Sequence, residues 1–281
     1  MQVSDKNAPI GVFDSGLGGL TAVRELRRIL PHENIVYFGD TGRVPYGTRG
    51  TQIIVQYAKQ DIAFLLSRHV KFILAACGTV SSTLPQAVSD ALPTPYSGVV
   101  AATAAAAVAA SKSGRIGVIG TPATIQSGSY RKAILALQKD AQITATSCPL
   151  FVPLVENGYF GADNTVTTLV AQDYLAEIKR ANVDTLILGC THYPLLLPIL
   201  AKVMGPKVTL IDAGREAAVA TKASLVRNHL LCDSTDDGVA SYFVSDSTEN
   251  FAKFSDWFLG EFSGGNVSQI EIEQYELTPY L

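Results

Sequence analysis

Lys71–Thr83, KFILAACGTVSST, is the stretch from which the fold can be read. Its apolar run, Phe72-Ile73-Leu74-Ala75-Ala76, shows no polar alternation. That is the pattern of a strand buried on both faces of a parallel sheet. Cys77 ends the run. Gly78, Thr79 and the hydroxyl residues after them predict a tight turn and a helix start, with Ser81 or Ser82 as N-cap. Cys77 therefore falls at the carboxyl edge of a strand, where open α/β sheets bind ligands. A helix N-terminus there also favours a thiolate. The same grammar returns downstream, where Leu186-Ile187-Leu188-Gly189 leads into Cys190-Thr191-His192.

Working outward, the chain is a run of βα units. Residues 9–13 (PIGVF) predict a strand, followed by the glycine-rich turn Asp14 to Leu20. Val23, Leu26, Ile29 and Leu30 have helical spacing, and Pro31 ends that helix. A strand over 34–38, a loop with two glycines and a proline over 42–49, and a long helix over 51–69 precede the Cys77 strand. A second series follows. Helices are expected over 99–111, 124–137, 166–180 and 216–230, and strands over 115–119, 143–147, 185–188 and 208–211. Residues 152–161 are turn-rich, and Pro198 implies a kink or restart in a helix over 194–203. The tail after Cys232 mixes short strands with a helix near 251–258. Such alternation predicts an α/β fold with mostly parallel sheets and right-handed crossovers. Two series that each end a strand on a cysteine suggest two similar halves facing each other.

The chain has 281 residues, of which 47% are hydrophobic and 17% charged, so a sizeable core is expected and disorder is not. A net charge of −3 argues against nucleic acid or anionic lipid as a partner. The N-terminus lacks a basic flank with an apolar core after it, and no apolar run reaches spanning length, so neither a secretory signal nor a membrane helix is expected. Cys77, Cys148, Cys190 and Cys232 are widely spaced, which suits free thiols in a reducing cytoplasm.

The residues alone leave several chemistries open. Both cysteines could be small buried hydrophobes. Cys190-x-His192 is poor zinc spacing, and there is no CxxC, so no metal is expected. A Cys190/His192 nucleophilic dyad is hindered because residues two apart rarely face each other. The fourth reading uses both thiols as acid and base, one on each face of an amino-acid α-carbon. One takes the proton, the other delivers one, and the centre inverts without a cofactor. Cysteine's ordinary pKa of about 8.5 allows a thiol and a thiolate to coexist near neutral pH. Asp14 either caps the turn at Gly16 or tunes a thiol. Gly16-x-Gly18-Gly19 departs from the dinucleotide-binding pattern. Pro45-Tyr46-Gly47 is a turn or a substrate rim, and Glu156 taken alone is a surface acid.

Several motifs, in order along the chain, carry a resemblance. They are FDSGLGGL over 13–20, GDT over 39–41 with RVPYG over 43–47, Ala76-Cys77 with Thr79, VPLVE over 152–156, and GCTHYPLL over 189–196. With these the chain resembles bacterial glutamate racemases, of the cofactor-independent aspartate/glutamate racemase superfamily. The resemblance implies two facing, pseudo-symmetric α/β domains with the active site in the cleft between them. Residues 1–97 plus 209–281 would form the first, supplying Cys77, and 98–208 the second, supplying Cys190. Cys77 and Cys190 would be the acid/base thiols, Cys77 assisted by Asp14, Cys190 by His192 and Glu156. Substrate would be lined by Asp14, Ser15, Pro45, Tyr46, Gly47, Gly78, Thr79, Thr121, Thr191 and His192. The implied activity interconverts L- and D-glutamate without metal or cofactor, supplying D-glutamate for peptidoglycan in the cell wall. Homodimers are the implied assembly. One departure matters: the family usually has Cys-Asn-Thr where this chain has Cys77-Gly78-Thr79. Either a water would fill the gap, or extra room would admit another acidic substrate. A related racemase acting on aspartate and a silent amino-acid-binding protein are the competing readings.

Overall fold

A computed structural model describes residues 5–262 and 264–281. Residues 1–4, part of the stretch read for a secretory signal, lie outside the described residues. The strands are β1 (Ile10–Asp14), β2 (Ile35–Gly39), β3 (Phe72–Ala75), β4 (Tyr96–Gly98) and β5 (Arg115–Gly120). They continue with β6 (Gln142–Ser147), β7 (Thr185–Leu188), β8 (Thr209–Asp212), β9 (Ala240–Val244) and β10 (Val267–Gln269). Six strands form one sheet in the order β10-β9-β2-β1-β3-β4, and four form a second in the order β6-β5-β7-β8. Every pairing is parallel.

Helices cover both faces of the first sheet, and alternate strand residues go to opposite sides. Ile10 and Val12 of β1, Ile35 and Tyr37 of β2, and Phe72 and Leu74 of β3 face one apolar cluster. Phe13, Val36, Phe38, Ile73 and Ala75 face another, which includes Ile54, Ile62 and Leu65 of the helix Thr51–Ser67. This two-sided burial is why the Cys77 strand is an unbroken apolar run. The first cluster continues into the second sheet through Ile116, Val118, Leu186 and Leu188.

Each sheet contains the same local order. In the first it is β2-β1-β3-β4, in the second β6-β5-β7-β8. Each is a second-first-third-fourth arrangement, whose direction reverses between the first and third strands, and ligands bind at such a switch point. The register matches too. Phe13 pairs with Ala75 and Ile119 with Leu188, and a cysteine follows each third strand two residues later. The like halves expected from the two βα series are present in topology.

Some expectations change. β8 pairs with β7, so residues 209–212 belong to the second sheet, whereas a boundary after 208 assigned them to the first. An apolar strand pattern does not say which sheet receives it. Neither Ser81 nor Ser82 is the N-cap: the helix Gly78–Thr83 starts earlier, with Cys77 itself in that position. Ser81 Oγ instead donates to the Ala75 carbonyl. Residues 151–156, overlapping the start of the stretch read as turns, form a short helix. Pro153 is tolerated there because N–H groups of a first turn need no helical partner. The restart expected at Pro198 occurs, as a 3-10 turn Tyr193–Leu196 followed by the helix Leu197–Met204.

Candidate active site

β1 and β3 present their carboxyl ends side by side at the first switch point. Asp14, the last residue of β1, is fully buried. Its Oδ2 accepts the Gly19 and Gly16 N–H groups at 2.9 and 3.2 Å, so Asp14 does cap the glycine-rich turn. Its Oδ1 is buried without a hydrogen-bond partner. Burial raises the Asp14 pKa, partly offset by the charge of His192. Cys77 is buried, and its thiol donates to Ser15 Oγ at 3.5 Å. Burial, then the charge of Asp14, pushes the Cys77 thiol up to about 12. Burial therefore favours the thiol form of Cys77, against the pull towards a thiolate expected from its helix N-terminus. Desolvation outweighs the short helix.

At the second switch point, β7 leads into Gly189, whose N–H donates to the Ile119 carbonyl at 2.8 Å. Cys190 is buried at the cavity wall, and the Tyr193 N–H donates to its carbonyl at 3.1 Å. His192 Nε2 lies 3.1 Å from Glu156 Oε1, and Nδ1 lies 3.4 Å from Thr191 Oγ1. Phe258 meets the imidazole edge-on, with centroids 5.4 Å apart. Burial alone would lower the His192 pKa, but the Cys190 thiol and Glu156 outweigh it and push it up to about 10. Glu156 is not merely a surface acid. Half-exposed at the end of the helix Phe151–Glu156, it turns its carboxylate onto a buried imidazole.

Pro45, Tyr46 and Gly47 form a third wall. Tyr46 OH donates to Asp40 Oδ2 and lies 3.2 Å from Asp61 Oδ2. Arg43 binds both buried carboxylates, at 2.7 Å to Asp40 and 3.2 Å to Asp61. Thr79 Oγ1 and Thr121 Oγ1 meet across the gap at 3.1 Å, and Thr121 also N-caps the helix Pro122–Gln126.

These walls enclose a cavity of about 290 Å³. Cys77 and Cys190 both line it, as do Ser15, Pro45, Tyr46, Gly47, Gly78 and Thr79. Thr121, Glu156, Thr191 and His192 complete the set of residues singled out in the sequence that reach its surface. Asp14 does not line it and lies behind, next to Ser15. Sequence reasoning missed Cys148, Val152 and Gly189, which also line the cavity. Cys148-Pro149 after β6 was a visible strand-end cysteine, but no chemistry drew attention to it. A larger recess of about 650 Å³ beside β4 holds neither a cysteine nor a histidine and lies on the flank of the fold. Among the described residues, no cluster of three His, Cys, Asp or Glu side chains is arranged to hold a metal ion. No helix among them is long and apolar enough to cross a membrane.

Gly78 leaves no extra room. A Cβ placed there would lie 2.3 Å from the Gly189 carbonyl oxygen, so backbone of the opposite half already occupies the space of a side chain.

Two parallel α/β halves, each bringing a strand-end cysteine to one shared cavity, define a class of proteins that handle a small molecule between two thiols. The chain belongs to the Asp/Glu/hydantoin racemase family, whose profile matches residues 21–221. It is 42% identical over 264 residues to the glutamate racemase of Geobacter metallireducens, covering 94% of this chain and 97% of that one. A solved glutamate racemase isoform of Bacillus anthracis superposes with a TM-score of 0.90 at 35% identity, over 94% of this chain and 98% of that one. The Francisella tularensis glutamate racemase in complex with D-glutamate superposes at 0.88 and 35% identity, over 96% of this chain and all of that one.

Proposed function

We propose that this chain is a glutamate racemase that interconverts L- and D-glutamate by a cofactor-independent transfer between two thiols. The observation that carries the reading is the pair Cys77 and Cys190. Each follows the third strand of a like-ordered sheet by two residues, and both open on one cavity. In one direction a thiolate on one wall takes the α-proton, and the thiol on the opposite wall gives its proton to the other face of the carbanion. The α-carbon inverts, and the two sulfurs exchange protonation states. The reverse direction uses the same atoms in exchanged roles. On the Cys190 side His192 carries a proton at neutral pH, since its pKa is pushed up to about 10, and Glu156 steadies that charge. On the Cys77 side burial and the neighbouring Asp14 favour the thiol, the form that delivers a proton, and Asp14 is the acid placed behind it. The threonines and the Tyr46-Gly47 rim would orient the substrate's carboxylates and ammonium.

We infer further that the two sheets belong to two domains meeting at the cavity, the first built from both ends of the chain. Turnover in the cytoplasm, where thiols stay reduced, and supply of D-glutamate for peptidoglycan complete the reading. All four cysteines are free, which suits that compartment. A homodimer rests on the resemblance, and light scattering after size-exclusion chromatography tests it.

The test of function is deuterium entry at Cα of glutamate in heavy water, with purified protein and no added cofactor. L- and D-glutamate should each yield the labelled opposite enantiomer. Cys77→Ser and Cys190→Ser should abolish turnover, and near wild-type rates in either would overturn the two-thiol reading. Labelling of aspartate in preference to glutamate would instead favour the aspartate alternative.

A further inference from the structure

Thr21, the second residue of the helix Leu20–Ile29, is buried and stands outside the cavity wall. Its hydroxyl oxygen lies 2.8 Å from the Gly18 carbonyl of its own turn and 3.2 Å from the Thr191 carbonyl of the opposite half. A hydroxyl has one proton to give, so it is shared between an acceptor in each half. The sequence explains why the Thr191 carbonyl takes a donor from outside its own segment. Three positions on, in the turn Tyr193–Leu196, stands Pro194, which has no N–H. The next N–H, that of Leu195, goes to the His192 carbonyl. Thr191 is buried, and a buried carbonyl left without a donor is costly.

The turn that carries Thr21 is fixed in the first half, since Asp14 accepts the Gly16 and Gly19 N–H groups. The same turn packs closely on the second half. A Cβ on Gly18 would lie 2.5 Å from His192 Nδ1 and closer still to Thr191 Oγ1. Thr191 stands between Cys190 and His192 in the chain. The Thr21 hydroxyl therefore joins the turn anchored by Asp14, behind Cys77, to the backbone between the second thiol and its imidazole.

We propose that Thr21 is a positioning residue whose hydroxyl holds the Cys190-Thr191-His192 segment against the first half, and so fixes Cys190 on its face of the substrate. This rests on the two-thiol reading. Thr21 acts through backbone, without reaching the cavity. When the hydroxyl is removed, the Thr191 carbonyl must turn towards another donor, and its two neighbours turn with it. Proton transfer at Cys190 then suffers, while Cys77 keeps its place. A misplacement of about 1 Å, made away from the chemistry, costs about 100-fold in rate.

The test compares Thr21→Val, which keeps the shape and removes the hydroxyl, with Thr21→Ser, which keeps the hydroxyl. In Thr21→Val kcat should fall about 10- to 100-fold with little change in KM, and Thr21→Ser should stay near wild type. The α-deuterium isotope effect on kcat/KM, measured separately with L- and D-glutamate, shows where the loss falls. For the enantiomer that Cys190 deprotonates, cleavage of the α-bond becomes more nearly rate-limiting and the effect rises. For the other enantiomer the slow step moves to delivery of the proton by Cys190, and the effect falls. His192→Asn, on the same side of the cavity, should split the two effects in the same sense. A merely structural role would lower both rates without a split. Wild-type kcat in Thr21→Val, an unsplit fall, or a split opposite to that of His192→Asn would each overturn the proposal. A loss in Thr21→Ser as large as in Thr21→Val would do so too. With Cys77→Ser and Cys190→Ser inactive, any of these results leaves the two-thiol reading standing. Near wild-type turnover in either serine variant would overturn the reading itself. Should Thr21→Val lack a cooperative melt, Thr21→Ala is measured in its place, with the same outcomes deciding.

Discussion

His192 Nε2 lies 3.1 Å from Glu156 Oε1, which joins a buried ring to a half-exposed carboxylate across the rim of the cavity. The ring's pKa stands at about 10 against an ordinary 6.5. A group with a raised folded pKa adds stability that is fully present below the unfolded value and is lost as pH rises through the folded one. The His192 contribution should therefore be complete below pH 6.5 and disappear towards pH 10. Glu156→Gln removes one of the two partners that hold the proton. Both midpoints should begin to fall near pH 6.5, and that of the variant should level off at lower pH than that of wild type. The displacement should be about half a pH unit, because half-exposed ion pairs are worth less than about 1 kcal/mol. Melting curves between pH 6 and 10.5 and the His192 ring shifts in NMR measure it, and coincident profiles would show that Glu156 does not hold the proton.

Asp14 offers a test with opposite signs in stability and rate. Its carboxyl pKa is raised by burial, so ionising it costs the folded state stability as pH rises above the ordinary 3.8. Asp14→Asn keeps an oxygen for the Gly16 and Gly19 N–H groups and removes the buried charge. At pH 7 the variant should melt no lower than wild type, while kcat falls about 100-fold. Losing the carboxylate should also bring the Cys77 thiol down from about 12, so it should alkylate faster with iodoacetamide at mildly alkaline pH. The enantiomers have equal free energy, so kcat/KM must fall equally in both directions. Any asymmetry must appear in kcat and KM separately. Slower alkylation of Cys77 would contradict the charge coupling.

The fold was legible from the sequence because both cysteine strands lie in parallel sheets. Two-sided burial writes itself as unbroken apolar runs such as Phe72–Ala76, and these survive reading without alignment. Strand partners are less visible. β8 is a short apolar run that could have joined either sheet, and only its pairing with β7 decides. At the site, residues next to a strand end were found, since position along the chain implies position at the edge. Gly189 was passed over because its role is a carbonyl oxygen, and no side chain advertises it. Gly78 was noticed but misread as room: what occupies its side-chain position comes from residues more than a hundred positions away. Cys148 was missed as part of the wall because its strand end carries no chemical partner in the sequence.

Beneath the rim, two buried carboxylates share one guanidinium. Asp40 and Asp61 both bind Arg43, and Tyr46 OH lies between them. Burial and the neighbouring Asp40 hold the Asp61 carboxyl well above the ordinary carboxylate range. Asp61→Asn should thus be tolerated, with a thermal midpoint near wild type. Arg43→Met should not, since it leaves two acids without their cation and costs about 3–5 kcal/mol at neutral pH. Acidification neutralises the orphaned acids, so the deficit should shrink as pH falls and grow as pH rises. The rim residues Tyr46 and Gly47 would lose their support, and KM should rise more than kcat falls. Urea titrations at pH 5 and pH 8 check the sign, and an equal deficit at both would refute the charge argument.

Lys71 and Glu33 form a second buried pair, far from the cavity. Nζ lies 2.5 Å from Oε2, with both side chains almost wholly buried. Lys71 Nζ also donates to the Lys6 carbonyl, and Glu33 Oε1 accepts the Cys232 N–H at 2.8 Å. The pair thereby ties the N-terminal segment, the approach to β2 and the start of the tail to one point at the amino ends of the strands. Lys71→Met leaves a buried carboxylate without its cation and should cost about 3–5 kcal/mol. Glu33→Gln in the same chain keeps an acceptor for Cys232 and removes the orphaned charge, so the double variant should be more stable than Lys71→Met alone. A double-mutant cycle in urea measures the coupling, and additive losses would mean that the two side chains do not act as a pair. Throughout the cycle kcat for glutamate should stay at the wild-type value at temperatures where the variants remain folded. The cavity is built at the opposite, carboxyl ends of the same strands.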